Sequence, residues 1–141
     1  MADWYASLYK ERINFMKITV ISVGKIKETY FTGAIGEYAK RLARYCKLDI
    51  VEVPDEKTPD GAGEGLELQI KEKEGKRILQ KIPDGAFVVA LSIDGKMLDS
   101  EELAGQMERW NVNGISHVVF LIGGSIGLAP EVLKRADYRL S

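Results

Sequence analysis

Residues 118–128 read V-V-F-L-I-G-G-S-I-G-L, an apolar run that passes directly into a glycine-rich turn. A continuous apolar run is typical of a strand that is covered on both faces of a parallel sheet. The turn contains Gly123, Gly124 and Gly127, which lack a Cβ and therefore let the backbone approach a ligand closely. Because α/β folds bind ligands at the carboxyl ends of their strands, this stretch predicts an α/β fold with a candidate binding turn.

The remaining sequence alternates between strand patterns and helix patterns. Short runs of β-branched and apolar residues predict strands at 17–23, 48–53, 87–93 and 117–122, with the start of a fifth at 138–140. Apolar residues spaced three and four positions apart predict helices at about 29–45, 67–82, 100–110 and 130–135. This alternation predicts a three-layer α/β/α sandwich with a mostly parallel sheet.

Several single residues refine this prediction. The alternating side chains of 48–53, which end at Pro54, indicate an outer strand. We expect Asp94 and Gly95 to turn the chain after the third strand, and Trp110 to fill a gap in the core. The helix at 67–82 is expected to pack through a narrow apolar stripe that consists of Leu68, Ile78, Leu79 and Ile82.

The composition sets limits on the class of protein. With 141 residues, 45% of them hydrophobic and 29% charged, the chain is predicted to form one globular domain. The net charge of −1 argues against nucleic-acid binding driven by the field of the whole molecule. The single cysteine, Cys46, allows no internal disulfide and fits a reducing, cytoplasmic compartment. Residues 1–15 contain no apolar signal core and are interpreted as an extension outside the fold.

Two interpretations of the glycine turn remain open. No Gly-Lys-Ser/Thr follows it, and its G-G-x-x-G spacing does not fit a dinucleotide fingerprint. The turn either cradles an adenosine-type ligand with backbone amides or is only a tight connection between a strand and a helix. Residues 91–96, L-S-I-D-G-K, end a second predicted buried strand. If the two strands are neighbours, their ends form one crevice, with Asp94 and Lys96 at its rim.

Basic residues are in excess between positions 25 and 47, namely Lys25, Lys27, Lys40, Arg41, Arg44 and Lys47. We expect Lys40, Arg44 and Lys47 to share one helical face. This patch is either a solvated surface or a contact surface for nucleic-acid phosphates, as in a non-catalytic module that binds RNA or a protein partner. A nicotinamide-dependent enzyme is disfavoured, because no acidic residue follows the glycine turn at a strand end to hold a ribose.

Neither a metal site nor a catalytic base is evident from the residue types. The single histidine, His117, lies where a strand begins and is interpreted as structural. The His, Cys and carboxylate residues show no spacing typical of metal ligands. No serine or cysteine has an obvious base partner for nucleophilic catalysis. The catalytic residues therefore remain unassigned.

Six segments together resemble a known family. They are M-K-I-T-V-I-S-V-G-K (16–25), E-Y-A-K-R-L (37–42), A-L-S-I-D-G-K (90–96), L-A-G-Q-M-E-R-W (103–110), F-L-I-G-G-S-I-G-L (120–128) and R-L-S (139–141). In this order they resemble the RlmH (YbeA-type) family of SPOUT methyltransferases, knotted enzymes that use S-adenosylmethionine. The resemblance extends from residue 16 to residue 141.

The resemblance implies an activity, a cofactor and partners. The activity is N3-methylation of a pseudouridine in 23S ribosomal RNA of the large subunit, with S-adenosylmethionine as the methyl donor. A homodimer is implied, with RNA meeting a surface built from both subunits. The cofactor contacts carry over onto Leu91 and Gly124, and Leu140 and Ser141 match the start of the third cofactor segment.

Family members continue beyond the position of Ser141, and the additional residues complete the third cofactor segment and the trefoil knot. The resemblance therefore implies an incomplete knot within residues 16–141. We expect the 141 residues alone to bind S-adenosylmethionine weakly or not at all and to leave RNA unmethylated. Isothermal titration calorimetry checks this expectation, which a micromolar dissociation constant would contradict.

Overall fold

The computed structural model describes residues 16–24, 40, 46–57, 59–61, 63–96, 100–123 and 127–140. Its strands are β1 (Met16–Val23), β2 (Cys46–Val53), β3 (Phe87–Lys96), β4 (His117–Ile122) and β5 (Tyr138–Leu140). The helices with described bounds are α1 (Glu64–Lys81), α2 (Ser100–Val112) and α3 (Pro130–Arg135). The predicted helix at 29–45 lies outside the described residues, except for Lys40, which is helical.

The strands form one sheet in the order β2-β1-β4-β3-β5, and every described pair is parallel. This confirms the predicted α/β class, and β2 lies at the edge of the sheet as its alternating pattern indicated. Because the strands are parallel, their carboxyl ends meet along one edge of the sheet, which we call the carboxyl edge. The opposite side, where the strands begin, is the amino edge.

Each face of the sheet has its own hydrophobic core. On one face, α2 packs Met107 and Trp110 against Val89, Phe120 and other strand residues. The Trp110 ring lies 4.9 Å from the Phe87 ring and 5.4 Å from the Tyr138 ring, measured between centroids. Trp110 therefore fills the core between α2 and the β3–β5 side of the sheet, as predicted.

The other face is covered by α1 and α3. Ile78 of α1 and Val132 of α3 pack with Val119 and Leu121 of β4 in the second core. The predicted stripe on α1 is partly wrong, because Leu68 is 44% exposed. The residues that α1 buries are Ile70, Glu74, Gly75 and Ile78. These residues define one face of the helix, and Leu68, two turns before Gly75, lies at the margin of that face near the start of α1 and stays exposed.

Side-chain and backbone hydrogen bonds join the start of β5 to β3. The Asp137 N–H donates to the Val88 carbonyl at 2.7 Å, and the Val88 N–H donates to the Asp137 Oδ2 at 2.8 Å. Arg135 also donates to the Ala86 carbonyl at 3.1 Å. These bonds fix the register of the short strand β5, whose last residue reaches the carboxyl edge.

The contacts of Trp110 predict a large loss of stability on truncation. Trp110→Ala removes a side chain that is 5% exposed and its contacts with Phe87 and Tyr138. We expect the free energy of unfolding in urea to fall by about 3–5 kcal/mol. Val112→Ala on the same helix is the control, because Val112 is 61% exposed and its loss should change stability by less than about 0.5 kcal/mol. Similar losses in the two variants would contradict this account of the core.

Candidate functional site

The two apolar strands that lead into the candidate site are neighbours. β3 and β4 pair in parallel with Ala90 opposite Leu121. Leu91 and Ile122 are the next residues on these strands, and Gly123 begins the glycine turn directly after Ile122. The two strands are therefore neighbours, which is the condition under which the segments that follow them can form one crevice.

β5 completes the site on the other side of β3. Leu140 pairs with Leu91, so the ends of three strands lie next to one another at the carboxyl edge. Leu140 is 3% exposed, and Leu91 is half-buried against the α2 core. The other two predicted cofactor residues, Gly124 and Ser141, lie outside the described residues. The structure thus brings Leu91 and Leu140 together, and cofactor binding by all four residues stays a prediction.

The end of β3 is irregular where it borders the candidate site. Leu140 pairs with both Leu91 and Lys96, so the register shifts between these two residues. The turn predicted at Asp94 and Gly95 instead falls inside β3, which extends to Lys96. The side chains of Asp94 and Lys96 are not among the described ones, so their expected position at the rim stays a prediction. Irregular strand ends of this kind free backbone groups from the sheet ladder and are frequent beside active sites.

Close packing within the glycine turn requires one of its glycines. A Cβ on Gly123 would lie 2.7 Å from the Gly127 carbonyl carbon and 3.1 Å from the Leu128 Cδ2. Gly127 has a φ of +89°, a conformation that glycine adopts without strain. The two ends of the turn therefore pack directly on each other. This packing supports the interpretation of a tight connection at Gly123, while a ligand cradle at Gly124 remains open.

A set of polar groups follows β2 at the same edge of the sheet. Glu74 of α1 is 3% exposed, and its Oε2 accepts a hydrogen bond from the Glu56 N–H at 2.9 Å. Arg77, one turn further along α1, donates to the Pro54 carbonyl at 2.8 Å and pairs with the Glu56 carboxylate. α1 therefore holds the segment that follows β2.

Glu74 was missed by the sequence analysis, because the charged middle of α1 resembles a solvated surface. The available signal was its spacing, since Glu74 lies four residues from both Ile70 and Ile78, which are buried. Within the part of the chain that is described, its Oε1 has no hydrogen-bond partner. Burial raises the pKa of the Glu74 carboxyl, the Glu56 N–H opposes this rise, and the Asp55 carboxylate adds to it.

His117 has a structural role at the amino edge. Its Nε2 and the Thr19 Oγ1 are 2.8 Å apart and share a hydrogen bond. Burial lowers the pKa of the His117 imidazole, as does the Lys17 ammonium, while Asp49 acts in the opposite direction. The ring lies at the start of β4, a strand's length away from the glycine turn. It is therefore not placed to act as a base at the carboxyl edge.

The basic patch is only partly described. Lys40 and Lys47 are exposed, while Lys25, Lys27, Arg41 and Arg44 lie outside the described residues. The prediction that Lys47 shares a helical face with Lys40 is wrong, because Lys47 belongs to β2. From Cys46 onward, side chains alternate between the two faces of this edge strand.

A cleft of about 400 Å³ opens at the amino edge, lined by residues that include Phe87, Ile115, Arg135 and Asp137. Arg135 and Asp137 are already engaged, because they pair with each other and bond the backbone of β3 and the residue before it. We therefore place the candidate site at the carboxyl edge, where parallel α/β sheets bind their ligands.

Among the described residues there is no group of His, Cys, Asp and Glu that could hold a metal ion. None of the described helices is long and apolar enough to span a membrane.

The burial of Glu74 predicts a pH dependence of stability. Its pKa is raised in the folded chain, so its contribution to stability is complete below the ordinary pKa of 4.5 and is lost as the pH rises through the raised value. Glu74→Gln removes this titration and keeps an acceptor for the Glu56 N–H. Relative to the unmodified chain, we expect the variant to become progressively more stable from about pH 4.5 upward.

Urea unfolding between pH 4 and pH 8 measures this difference. Glu72→Gln is the matched control for the loss of a charge, because Glu72 is exposed on the same helix. A stability difference between the chain and Glu74→Gln that does not change with pH would show that the carboxyl does not titrate as its burial indicates.

Comparison with known proteins agrees with this architecture. The sequence model of a family described as "Predicted SPOUT methyltransferase" matches residues 16–141. The chain is 61% identical over 126 residues to ribosomal RNA large subunit methyltransferase H of Bifidobacterium adolescentis, an alignment that covers 89% of this chain and 79% of the relative. It is 59% identical over 125 residues to ribosomal RNA large subunit methyltransferase H 1 of Clostridium perfringens, with the same coverage. The chain therefore belongs to the SPOUT methyltransferases, in the RlmH family.

Proposed function

We propose that the protein carrying this sequence transfers a methyl group from S-adenosylmethionine to ribosomal RNA of the large subunit, at N3 of a pseudouridine in the 23S RNA. The observation that carries this proposal is the meeting of Leu91, Gly123 and Leu140 at one edge of the sheet in a SPOUT family member. The names of its relatives, ribosomal RNA large subunit methyltransferases H, support RNA of the large ribosomal subunit as the substrate.

The residues at the carboxyl edge fit a nucleoside ligand. The register shift in β3 releases backbone groups beside Leu140, and Gly123, Gly124 and Gly127 add backbone without side chains. We propose that backbone groups of Leu91, Gly124, Leu140 and Ser141 hold the adenosine part of the cofactor. The apolar core beneath Leu91 and Leu140 excludes water from one side of the site. When bound, the cofactor supplies an electrophilic methyl group on its sulfonium.

The chain's task in this reaction is to position the acceptor and remove its proton. An imide nitrogen must lose its proton to become nucleophilic, so a base or a relayed water is required. His117 lies at the opposite edge of the sheet and is therefore not the proposed base. Orientation of two bound reactants supplies a large part of the rate enhancement in such transfers, and this part depends on the rigid strand ends.

The proposal includes the domain and the partners. We propose that residues 16–141 are part of the SPOUT domain, with 1–15 outside it, which is supported by the extent of the family match. A homodimer in the cytoplasm with 23S ribosomal RNA as partner follows from the family resemblance. The exposed Lys40 and Lys47 are available for contacts with RNA phosphates.

A chimera tests the proposed function. Residues 16–141 replace the aligned segment of the Bifidobacterium adolescentis relative, which supplies the remaining fifth of its own length. We expect the chimera to methylate large-subunit ribosomal RNA, with the methyl group on N3 of a pseudouridine by mass spectrometry of RNA digests. A folded chimera that binds the RNA in a salt-dependent manner but transfers no methyl group would instead support a non-catalytic RNA-binding module.

A pair of variants locates the site within the chimera. Leu91→Arg places a charge at a half-buried position of β3, directly before its register shift, and we expect the affinity for S-adenosylmethionine to fall by roughly tenfold or more. Leu66→Arg is the matched control, since Leu66 is 41% exposed on α1 and should leave the affinity unchanged. Equal effects of the two substitutions would argue against a cofactor site at the end of β3.

A further inference from the structure

α1 approaches α3 closely at a glycine. A Cβ on Gly75 would lie 3.0 Å from the Val132 Cγ2 and 3.2 Å from the Ala129 Cβ. Glycine is less favourable than alanine inside a helix, and Gly75 lies in the middle of α1. Both neighbours are buried, with Val132 0% and Ala129 2% exposed. The missing side chain at Gly75 therefore lets the two helices meet at this point.

Contacts continue from α3 to the glycine turn. Ala129 is the residue before α3 and has no side-chain cap, so its place depends on packing. It directly follows Leu128, which closes the turn against Gly123. Because a Cβ on Gly123 would overlap the Gly127 backbone, Gly123 and Gly127 have little room to move relative to each other. A shift of α3 by a few tenths of an ångström would therefore reach the end of β4.

Glu74, the residue before Gly75 on α1, contacts the carboxyl edge at its β2 side. Glu74 accepts the hydrogen bond from the Glu56 N–H in the segment that follows β2. Two adjacent residues of α1 thus contact the β2 side of this edge and the start of α3. α1 therefore connects the segment after β2 with the start of α3.

We propose that Gly75 is a positioning residue for the glycine turn, acting through its contact with Ala129 and Val132. This inference rests on the proposed function, because it takes the glycine turn as part of the cofactor site. Gly75 lies where α1 packs against α3. In this proposal it contacts neither the cofactor nor the RNA. Its effect is transmitted by packed side chains, which respond to added volume by moving.

Amide hydrogen exchange of the 141-residue chain tests the proposal without the cofactor. In Gly75→Ala, we expect exchange at residues 127–132 to accelerate about threefold or more, while the amides of β1 and β2 keep their rates. Gly65→Ala is the matched control on the same helix, since a Cβ there would meet nothing within 4 Å. Both substitutions add the same methyl group to α1, and only the one at Gly75 brings that group against α3. Equal exchange rates at 127–132 in the two variants would overturn the proposal.

A compensating substitution provides rescue. Val132→Ala removes the Cγ2 that the new side chain would approach, and in the double variant Gly75→Ala/Val132→Ala we expect the exchange rates to return towards those of the unmodified chain. If Gly75→Ala does not fold, the double variant is compared with Val132→Ala alone. Faster exchange at 127–132 in Val132→Ala that is not reduced by adding Gly75→Ala would overturn the proposal.

The chimera separates this inference from the proposed function. In an active chimera, Gly75→Ala should raise the KM for S-adenosylmethionine and leave the KM for RNA unchanged, which a general loss of stability would not do. If the unsubstituted chimera transfers no methyl group, the proposed function fails, while the hydrogen-exchange result still decides whether Gly75 positions the turn.

Discussion

Parallel hydrogen bonding of β3 with β4 on one side and β5 on the other brings Leu91, Ile122 and Leu140 to the same edge of the sheet. Every other feature of the candidate site follows from this pairing. The glycine turn begins where β4 ends, and the irregular part of β3 lies beside Leu140. A different register would separate these strand ends by several ångströms, because each residue adds about 3.3 Å along a strand.

The chemistry at this edge is mainly that of the backbone. The described side chains at the three strand ends are apolar, and Leu140 is buried in the α2 core. Polar backbone groups that are released from the ladder can recognise a nucleoside without charged side chains, while the core beneath them stays dry. Charged groups occur further along the same edge, where α1 holds the segment after β2 through Glu74 and Arg77. Backbone groups at the strand ends above an apolar core suit a site that positions its cofactor mainly by shape.

The elements with strong local signals were predicted from the sequence with their bounds. The strand His117–Ile122 is an apolar run that ends at a glycine, and the helix Pro130–Arg135 begins with proline. The errors fall where tertiary packing decides. Leu68 was expected in the core, and the burial of Glu74 was missed, because the orientation of a charged helix depends on what it packs against. The register between β3 and β5 could not be predicted, because it is set by hydrogen bonds between Asp137 and Val88, which are distant in sequence.

The central claim is that the cofactor binds where the parallel strands end. The most direct measurement is a titration of the ¹⁵N-labelled chimera with S-adenosylmethionine, followed by NMR of the backbone amides. The account predicts the largest chemical-shift changes at Leu91, Gly123 and Leu140, with the amino-edge cleft unaffected. Changes confined to that cleft, at residues such as Gly85 and Ile115, would contradict it.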